Sequence, residues 1–295
     1  MTAISIITPS LNQGRFLERT IQSVLSQKIE GLEYYVVDGG STDESPSILA
    51  RYRDRLQWRS EPDRGQAHAV NKGIRRARGE IIGWLNSDDI YYPGALAAVL
   101  QFFAAHPEAE ILYGEANHID ERDRVLALYP TEDWDYGRLQ EICFLCQPAV
   151  FFRRRLVERV GLLDEGLHYC MDYEYWLRIG RTTPFHRIPQ SLAGSRLYPD
   201  NKTLGSRLAV HREINDMFRR RLGRVPAKWL FGYAHAKVNH RPVDRSHPVT
   251  NLVYLARLGW AGLLAFGTWR QIPRGQDWST LRKWGIGALR AARRR

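Results

Sequence analysis

The chain has 295 residues, of which 44% are hydrophobic and 25% charged, and its formal net charge is +11. That composition fits a globular protein of one large or two modest domains and excludes a disordered chain and a polytopic membrane protein. Three cysteines in this length exclude a disulfide-stapled module.

The first half alternates regularly. Residues 3–8 are a short β-branched run ended by Pro9, and residues 15–27 carry Phe16, Leu17, Ile21, Val24 and Leu25 at a helical period. Residues 33–37 form a strand that runs into the turn Asp38-Gly39-Gly40. Residues 41–44 join a capping residue to acids, which predicts a helix start. A short strand at 56–59, a helix at 65–77 stopped by Gly79, and a buried strand at 81–85 follow. That strand ends in Asn86-Ser87-Asp88-Asp89, and Pro93 opens a helix to about His106. The βαβαβαβα order predicts an α/β fold with a mostly parallel twisted sheet flanked by helices. Ligands of such sheets bind beyond the carboxyl ends of the strands. Three candidate segments sit there: 8–12, 38–43 and 86–89.

The second half is less regular. Residues 109–119, 125–129 and 149–152 read as strands, 172–179 as a helix, and 204–222 as an amphipathic helix with a basic end. Gly223 and Pro226 suggest a boundary near 224, which gives a domain at 1–223 and a basic helical C-terminal extension at 224–295. Residues 270–295 hold eight basic side chains against one acid, Asp277. A basic tail attracts phosphate, so an anionic membrane surface is one partner; a solvated tail that aids solubility is the equal alternative. No nucleic-acid reading element is present, so no specific nucleic acid is expected. The uncharged run at 258–269 has twelve residues and covers about 18 Å as a helix, too short to span a membrane. With Trp260 and Trp269 it suits an interfacial helix, or one packed on the main domain or a second subunit. The sequence leaves the oligomeric state open. Residues 1–10 carry no secretory signal, which predicts a cytoplasmic protein, with peripheral attachment at the inner face of the cell membrane left open. Cys143 and Cys146 form a lone C-x-x-C and Cys170 stands apart, a pattern of buried thiols rather than a zinc site.

Adjacent carboxylates at a strand end are costly unless a cation neutralises them, so Asp88 and Asp89 point to magnesium or manganese with substrate phosphates; the plainer alternative is a helix start before Pro93. Asp38 precedes two glycines and could accept from a base or ribose, or be a turn aspartate. Asp172 begins a helix, where it is either favourable to the helix dipole or a general base.

Together IITPSLNQGRFLERTIQSVLSQ, VVDGGSTDES, SEPDRGQAHAVNKGIRRARGEI, GWLNSDD and MDYEYWLRIG, in this order over about residues 3–222, resemble family 2 glycosyltransferases. The resemblance implies a GT-A fold, with a nucleotide-sugar-binding half at 1–106 and an acceptor-binding, catalytic half at 107–223. It also implies a nucleotide-diphosphate sugar donor, a glycan or lipid-linked acceptor, Mn2+ or Mg2+, and inversion at the anomeric carbon. By the same resemblance Thr8, Pro9 and Asn12 line the nucleotide pocket and Asp38 contacts the base. Arg64 and Asn71 approach the nucleotide or its phosphates. Asn86, Asp88 and Asp89 stand in the acidic motif, with Asn86 and Asp88 on the nucleotide sugar and Asp88 and Asp89 on the metal, and Asp172 is the catalytic base. Four positions depart from the family pattern: Asn86 replaces an Asp, Met171 a Glu, His68 an Asp, and Tyr198 a His near the metal. A nucleotidyltransferase would need a glycine- and lysine-rich loop after the first strand, which TPSLNQGR does not provide. A non-enzymatic membrane or nucleic-acid protein would leave Asp172 dispensable, and a catalytically dead relative would not keep Asp88, Asp89 and Asp172.

Overall fold

The computed structural model describes residues 3–240 and 247–293, with side chains as far as Trp284 except at Thr203 and Pro248. β1 (Ile4–Ser10), α1 (Gly14–Leu25), β2 (Leu32–Asp38), α2 (Ser45–Arg51), β3 (Gln57–Ser60), α3 (Gln66–Arg76) and β4 (Ile81–Trp84) alternate as the sequence pattern predicts. Next come β5 (Ile90–Tyr91), α4 (Ala95–Ala105), β6 (Ile111–Ile119), β7 (Val125–Leu128), α5 (Tyr136–Glu141), β8 (Val150–Arg153), α6 (Arg154–Val160), α7 (Met171–Gly180) and β9 (His186–Arg196). The chain continues through α8 (Lys202–Gly205), α9 (Arg207–Leu222), α10 (Ala227–Asn239), α11 (Pro248–Thr268) and α12 (Gly275–Arg293).

Among the described residues the strands form one nine-stranded sheet in the order β3-β2-β1-β4-β8-β6-β9-β5, with β7 paired to β6. β3, β2, β1 and β4 are parallel, and Asp38 lies opposite both Ser10 and Ser60, so their carboxyl ends share one edge. β8 joins β4 antiparallel, and beyond it the sheet is mixed. One face packs Ile4, Ile6, Tyr34 and Val36 with Leu17, Ile21 and Val24 of α1, Ile48 and Leu49 of α2, and Leu96, Val99 and Phe103 of α4. On the other face Gly73 of α3 sits against Ile7, and Tyr175 and Trp176 of α7 meet Phe152 edge-on.

Four elements differ from the sequence pattern. β1 runs through Pro9 to Ser10, because β4 pairs β1 only as far as Ile7 and a missing N–H beyond that point interrupts no ladder on that side. β9 has no counterpart in the sequence reading, since Pro189 and a polar first half hide it. The β6–β9 register shift between Ile188 and Ser191 takes Pro189 and Gln190 out of the pairing. The helix predicted over 204–222 is broken at Ser206 into α8 and α9. Helix α11 has 21 residues and continues through Arg257, so the twelve-residue uncharged run underestimates it. By length and composition alone its segment Val249–Thr268 is enough to cross a membrane.

The chain divides into two compact units, Met1–Leu139 with Cys143–Pro199, and Gln140–Ile142 with Asp200–Arg295. The division falls ahead of Gly223. The terminal part of the basic tail, residues 290–295, lies outside the residues whose side chains are described.

Within the first unit Glu33 locks the parallel strands to the α3–β4 turn. Its carboxylate accepts from Ser5 Oγ at 2.5 Å, Tyr35 Oη at 2.6 Å and the Arg78 N–H at 2.8 Å. Burial pushes its pKa up, but these donors outweigh burial and hold it below the ordinary 4.5. A depressed carboxylate contributes stability that is complete above its unfolded pKa and is lost as pH falls through the folded one. We therefore expect Glu33→Gln to be less stable than wild type at pH 7 and to flatten the loss of stability below about pH 4.5. Urea unfolding from pH 7 to 3 checks this, and parallel curves would contradict it.

Candidate active site

The shared strand edge is built by loops that bond to one another. After β1, Asn12 takes a left-handed backbone (φ 52°). Its N–H donates to Ser41 Oγ at 2.7 Å, and its Oδ1 accepts from the Thr42 N–H at 2.9 Å. Asp43 accepts from the N–H of Gly14 at 2.8 Å and so covers the start of α1. Asp38 is fully buried, and its carboxylate accepts from Gly40 N–H, Ser41 N–H, Ser41 Oγ and Ser60 Oγ at 2.5–3.2 Å. Four donors fill the lone pairs of a carboxylate, so Asp38 organises the β2–α2 loop, and a base would reach it only by displacing one of them. Thr8 and Pro9 are also buried, and the Thr8 hydroxyl lies 3.2 Å from that of Tyr34. Ser10 Oγ and Gln13 Oε1 are buried without a protein partner at the same turn.

At the start of α3, Gly65 has φ +116°, a conformation that disfavours any side chain. Arg64 is 70% exposed and paired with Glu165. Asn71 is buried: its Nδ2 donates to Leu163 O and Glu165 Oε1, and its Oδ1 accepts from Leu163 N–H, all at 3.0 Å. Asn71 thus anchors the 163–165 loop, and it is Arg64, held by the same Glu165, that reaches solvent.

The acidic segment after β4 separates into two roles. Asp89 is 4% exposed; its Oδ1 accepts from the Arg196 N–H at 2.8 Å and its Oδ2 from Asn86 Nδ2 at 3.4 Å. Burial, and then the charge of Asp88, push its pKa well up. Asp88 is partly exposed, and its Oδ2 accepts from Tyr198 Oη at 2.7 Å. Burial pushes Asp88 up too, opposed by the Tyr198 hydrogen bond and by the charges of Arg196 and Arg15. Asn86 is engaged by Trp84 Nε1, Gln66 Nε2 and Gln147 Oε1 at 2.7–2.9 Å and braces the turn.

Arg196, which ends β9, was not singled out by the sequence. Its Nε donates to Asp88 O at 2.7 Å and one Nη to Asp120 O at 2.6 Å, and the other Nη lies 2.5 Å from Asp123. Its side chain is fully buried, with the guanidinium 4.6 Å over Phe16. Arg15 lies 4.5 Å over both Phe16 and Tyr198 and adds exposed positive charge beside Asp88. A lone Arg at the end of an unrecognised strand gives no pattern in sequence.

Within Met171–Gly180, only Asp172, Arg178 and Gly180 are not buried. Asp172 Oδ1 accepts from the Tyr173 N–H at 2.8 Å. Glu174 is 2% exposed and makes a two-pronged ion pair with Arg178 at 2.9 and 3.1 Å, while Arg178 also donates to Leu162 O. Cys143 and Cys146 are free thiols. Burial pushes Cys146 up, and the charges of Asp89, Cys143 and Asp172 add to this. The charges of Asp89 and Asp172 thus both act on Cys146.

No cluster of three His, Cys, Asp or Glu side chains suited to a metal occurs among the described residues. A magnesium-type site does not need one, since that ion typically takes one or two carboxylates and completes its shell with waters and substrate phosphates. Asp88 fits, as a hard oxygen donor that burial has made costly to ionise. Asp89 offers the same donor type, with one hydrogen bond already on each oxygen and with greater burial.

Residues 5–161 match the family described as Glycosyl transferase family 2. The chain belongs to that family. An uncharacterized glycosyltransferase of Rickettsia conorii is 29% identical over 214 residues, 68% of this chain but 35% of the relative. The chain thus spans about a third of that relative's length. Among solved structures, S. aureus TarS 1-349 in complex with UDP-GlcNAc gives a TM-score of 0.61 at 14% identity, covering 98% of this chain and 89% of TarS. The mannosyltransferase PcManGT from Pyrobaculum calidifontis, in complex with GDP-Man and Mn2+, gives 0.59 at 18% identity, covering 97% and 85%. These likenesses establish the GT-A-like fold, and the family member carries its candidate residues on the strand edge and on α7.

The different surroundings of the two aspartates lead to different outcomes. Asp89→Ala leaves a buried N–H without an acceptor, and we expect a loss of about 1–3 kcal/mol in stability. Asp88→Ala removes the acceptor of the Tyr198 hydroxyl, but from a partly exposed position, and should cost less than Asp89→Ala. Denaturant titration of both variants checks this, and equal losses would contradict the separation.

Proposed function

We propose that this chain is an inverting glycosyltransferase that moves a sugar from a nucleotide-diphosphate sugar to a hydroxyl of a glycan or lipid-linked acceptor. The observation that carries the reading is the family match together with two partly exposed carboxylates in its motifs, Asp88 at the strand edge after β4 and Asp172 in the first turn of the largely buried helix α7. The UDP-GlcNAc and GDP-Man complexes of the structural neighbours support the donor class.

On this reading the loops at Asn12, Asp38 and Arg64 shape the nucleotide end, with residues 1–106 as the donor half and 107–223 as the acceptor half, followed by the extension at 224–295. Asp88 would hold Mg2+ or Mn2+, which supplies positive charge to the departing diphosphate. Arg15 adds charge at the same place. Asp172 takes the proton of the acceptor hydroxyl as the oxygen forms its bond to the anomeric carbon. The bond from that carbon to the diphosphate oxygen breaks on the opposite side, and the nucleoside diphosphate leaves with the electron pair. Tyr173, Tyr175 and Trp176 are buried behind Asp172 and limit water on that side. Glu174 is committed to Arg178 and serves the fold.

Asp172→Asn keeps the shape but accepts no proton, so turnover should fall by ~10²–10⁴-fold with donor affinity nearly unchanged. Glu174→Gln should instead lower stability, because it breaks the two-pronged ion pair of the buried Glu174 with Arg178. Single-turnover transfer and denaturant unfolding of both variants decide this. A dead Glu174→Gln that is stably folded, beside a near-wild-type Asp172→Asn, would reverse the assignment.

A further inference from the structure

Helix α11 in the second unit has two different faces. Tyr254, Leu258, Ala261, Ala265 and Phe266 are buried, and this side packs with Ala234 and Phe231 of α10 and with Trp284 of α12. The opposite side repeats at helical spacing and is apolar yet open: Val253 is 41% exposed, Trp260 64% and Leu264 41%. Just beyond it Ile272 is 82% exposed and Trp278 43%. Exposed apolar side chains at one helical period are a docking face, not scattered surface residues.

The charge around that face indicates its occupant. From residue 247 to 284 the chain has five cations, Arg257, Arg270, Arg274, Arg282 and Lys283, and one acid. That acid, Asp277, accepts from the Arg274 N–H at 2.9 Å and belongs to the local turn. Exposed apolar and indole groups in a segment with this excess of exposed cations match the boundary between anionic lipid headgroups and acyl chains. Nucleic acid would use the cations but not Val253 or Leu264. A spanning orientation is disfavoured, since Arg257 sits near the middle of the helix on the open side, where a charge in hydrocarbon is expensive.

We propose that the open face of α11, with the exposed start of α12, docks flat on an anionic lipid surface. This stands apart from the donor chemistry, and its test requires no turnover. The probe is vesicles of phosphatidylcholine alone or mixed with phosphatidylglycerol, cosedimented with the full chain at low and high salt. Two double variants are compared with wild type: Trp260→Glu with Leu264→Glu, and Arg270→Glu with Arg274→Glu. All four positions are exposed, and circular dichroism melting confirms that folding is kept. Wild type should bind the mixed vesicles, bind neutral ones at least about tenfold less, and lose binding at high salt. Each double variant should lose about tenfold or more. Three outcomes overturn the proposal: no binding to mixed vesicles at low salt, unchanged binding by both folded variants, or a wild-type dimer in sedimentation equilibrium that Trp260→Glu dissociates while vesicles are ignored. The last would assign the face to a second copy.

Discussion

A buried carboxylate holding a buried, arginine-bearing strand is the constraint on which the strand edge depends. Asp89 accepts the backbone N–H of Arg196, and the Arg196 side chain returns to the carbonyl of Asp88 and out to Asp120 and Asp123. These bonds tie the end of β4 to the end of β9 across 107 residues of chain. They bring Tyr198 onto Asp88 and set Phe16, Arg15 and Arg196 in one stack. Breaking such a network exposes unpaired charge to a low-dielectric interior, so its parts behave as one unit.

The same logic divides like residues into different roles. Asp88 and Asp89 are neighbours in sequence, yet Asp89 is buried and bonded to β9 while Asp88 is partly exposed. Asp172 and Glu174 share a helical turn, yet Glu174 is buried and paired with Arg178 while Asp172 is partly exposed beside buried rings. Asp38 and Asn71 resemble ligand contacts by their place in the chain, but their hydrogen bonds hold loops. On the proposed reading the ligand-facing surface falls to Asn12, Arg15, Arg64, Asp88 and Asp172.

The βαβ order of the first half was legible because residues 4–84 alternate strand and helix periods with clear breaks, and parallel strands put their carboxyl ends on one edge. Asp88 and Asp172 were legible as candidates through the resemblance of their motifs to the family. β9 was not, since a strand with three residues skipped in its pairing, Pro189, Gln190 and Leu192, has no period to read. Arg196 was lost with it. The use of Asp89, Asp38 and Asn71 was hidden for another reason: sequence shows which groups can hydrogen-bond, and only packing shows which have already done so. Helix α11 was underestimated because one arginine was treated as its end, whereas a long side chain can sit on an open face without breaking a helix.

The account stands on Asp88 as the group through which a divalent cation and a nucleoside diphosphate meet this chain. Calorimetric titration of UDP and GDP into wild type and Asp88→Asn, each with Mn2+ and with chelator, tests it most directly. The account predicts saturable binding of one diphosphate by wild type, at least about tenfold tighter with Mn2+, and no gain from Mn2+ in a folded Asp88→Asn. Equal affinity with and without Mn2+, or the same metal-dependent gain in the variant, would contradict it.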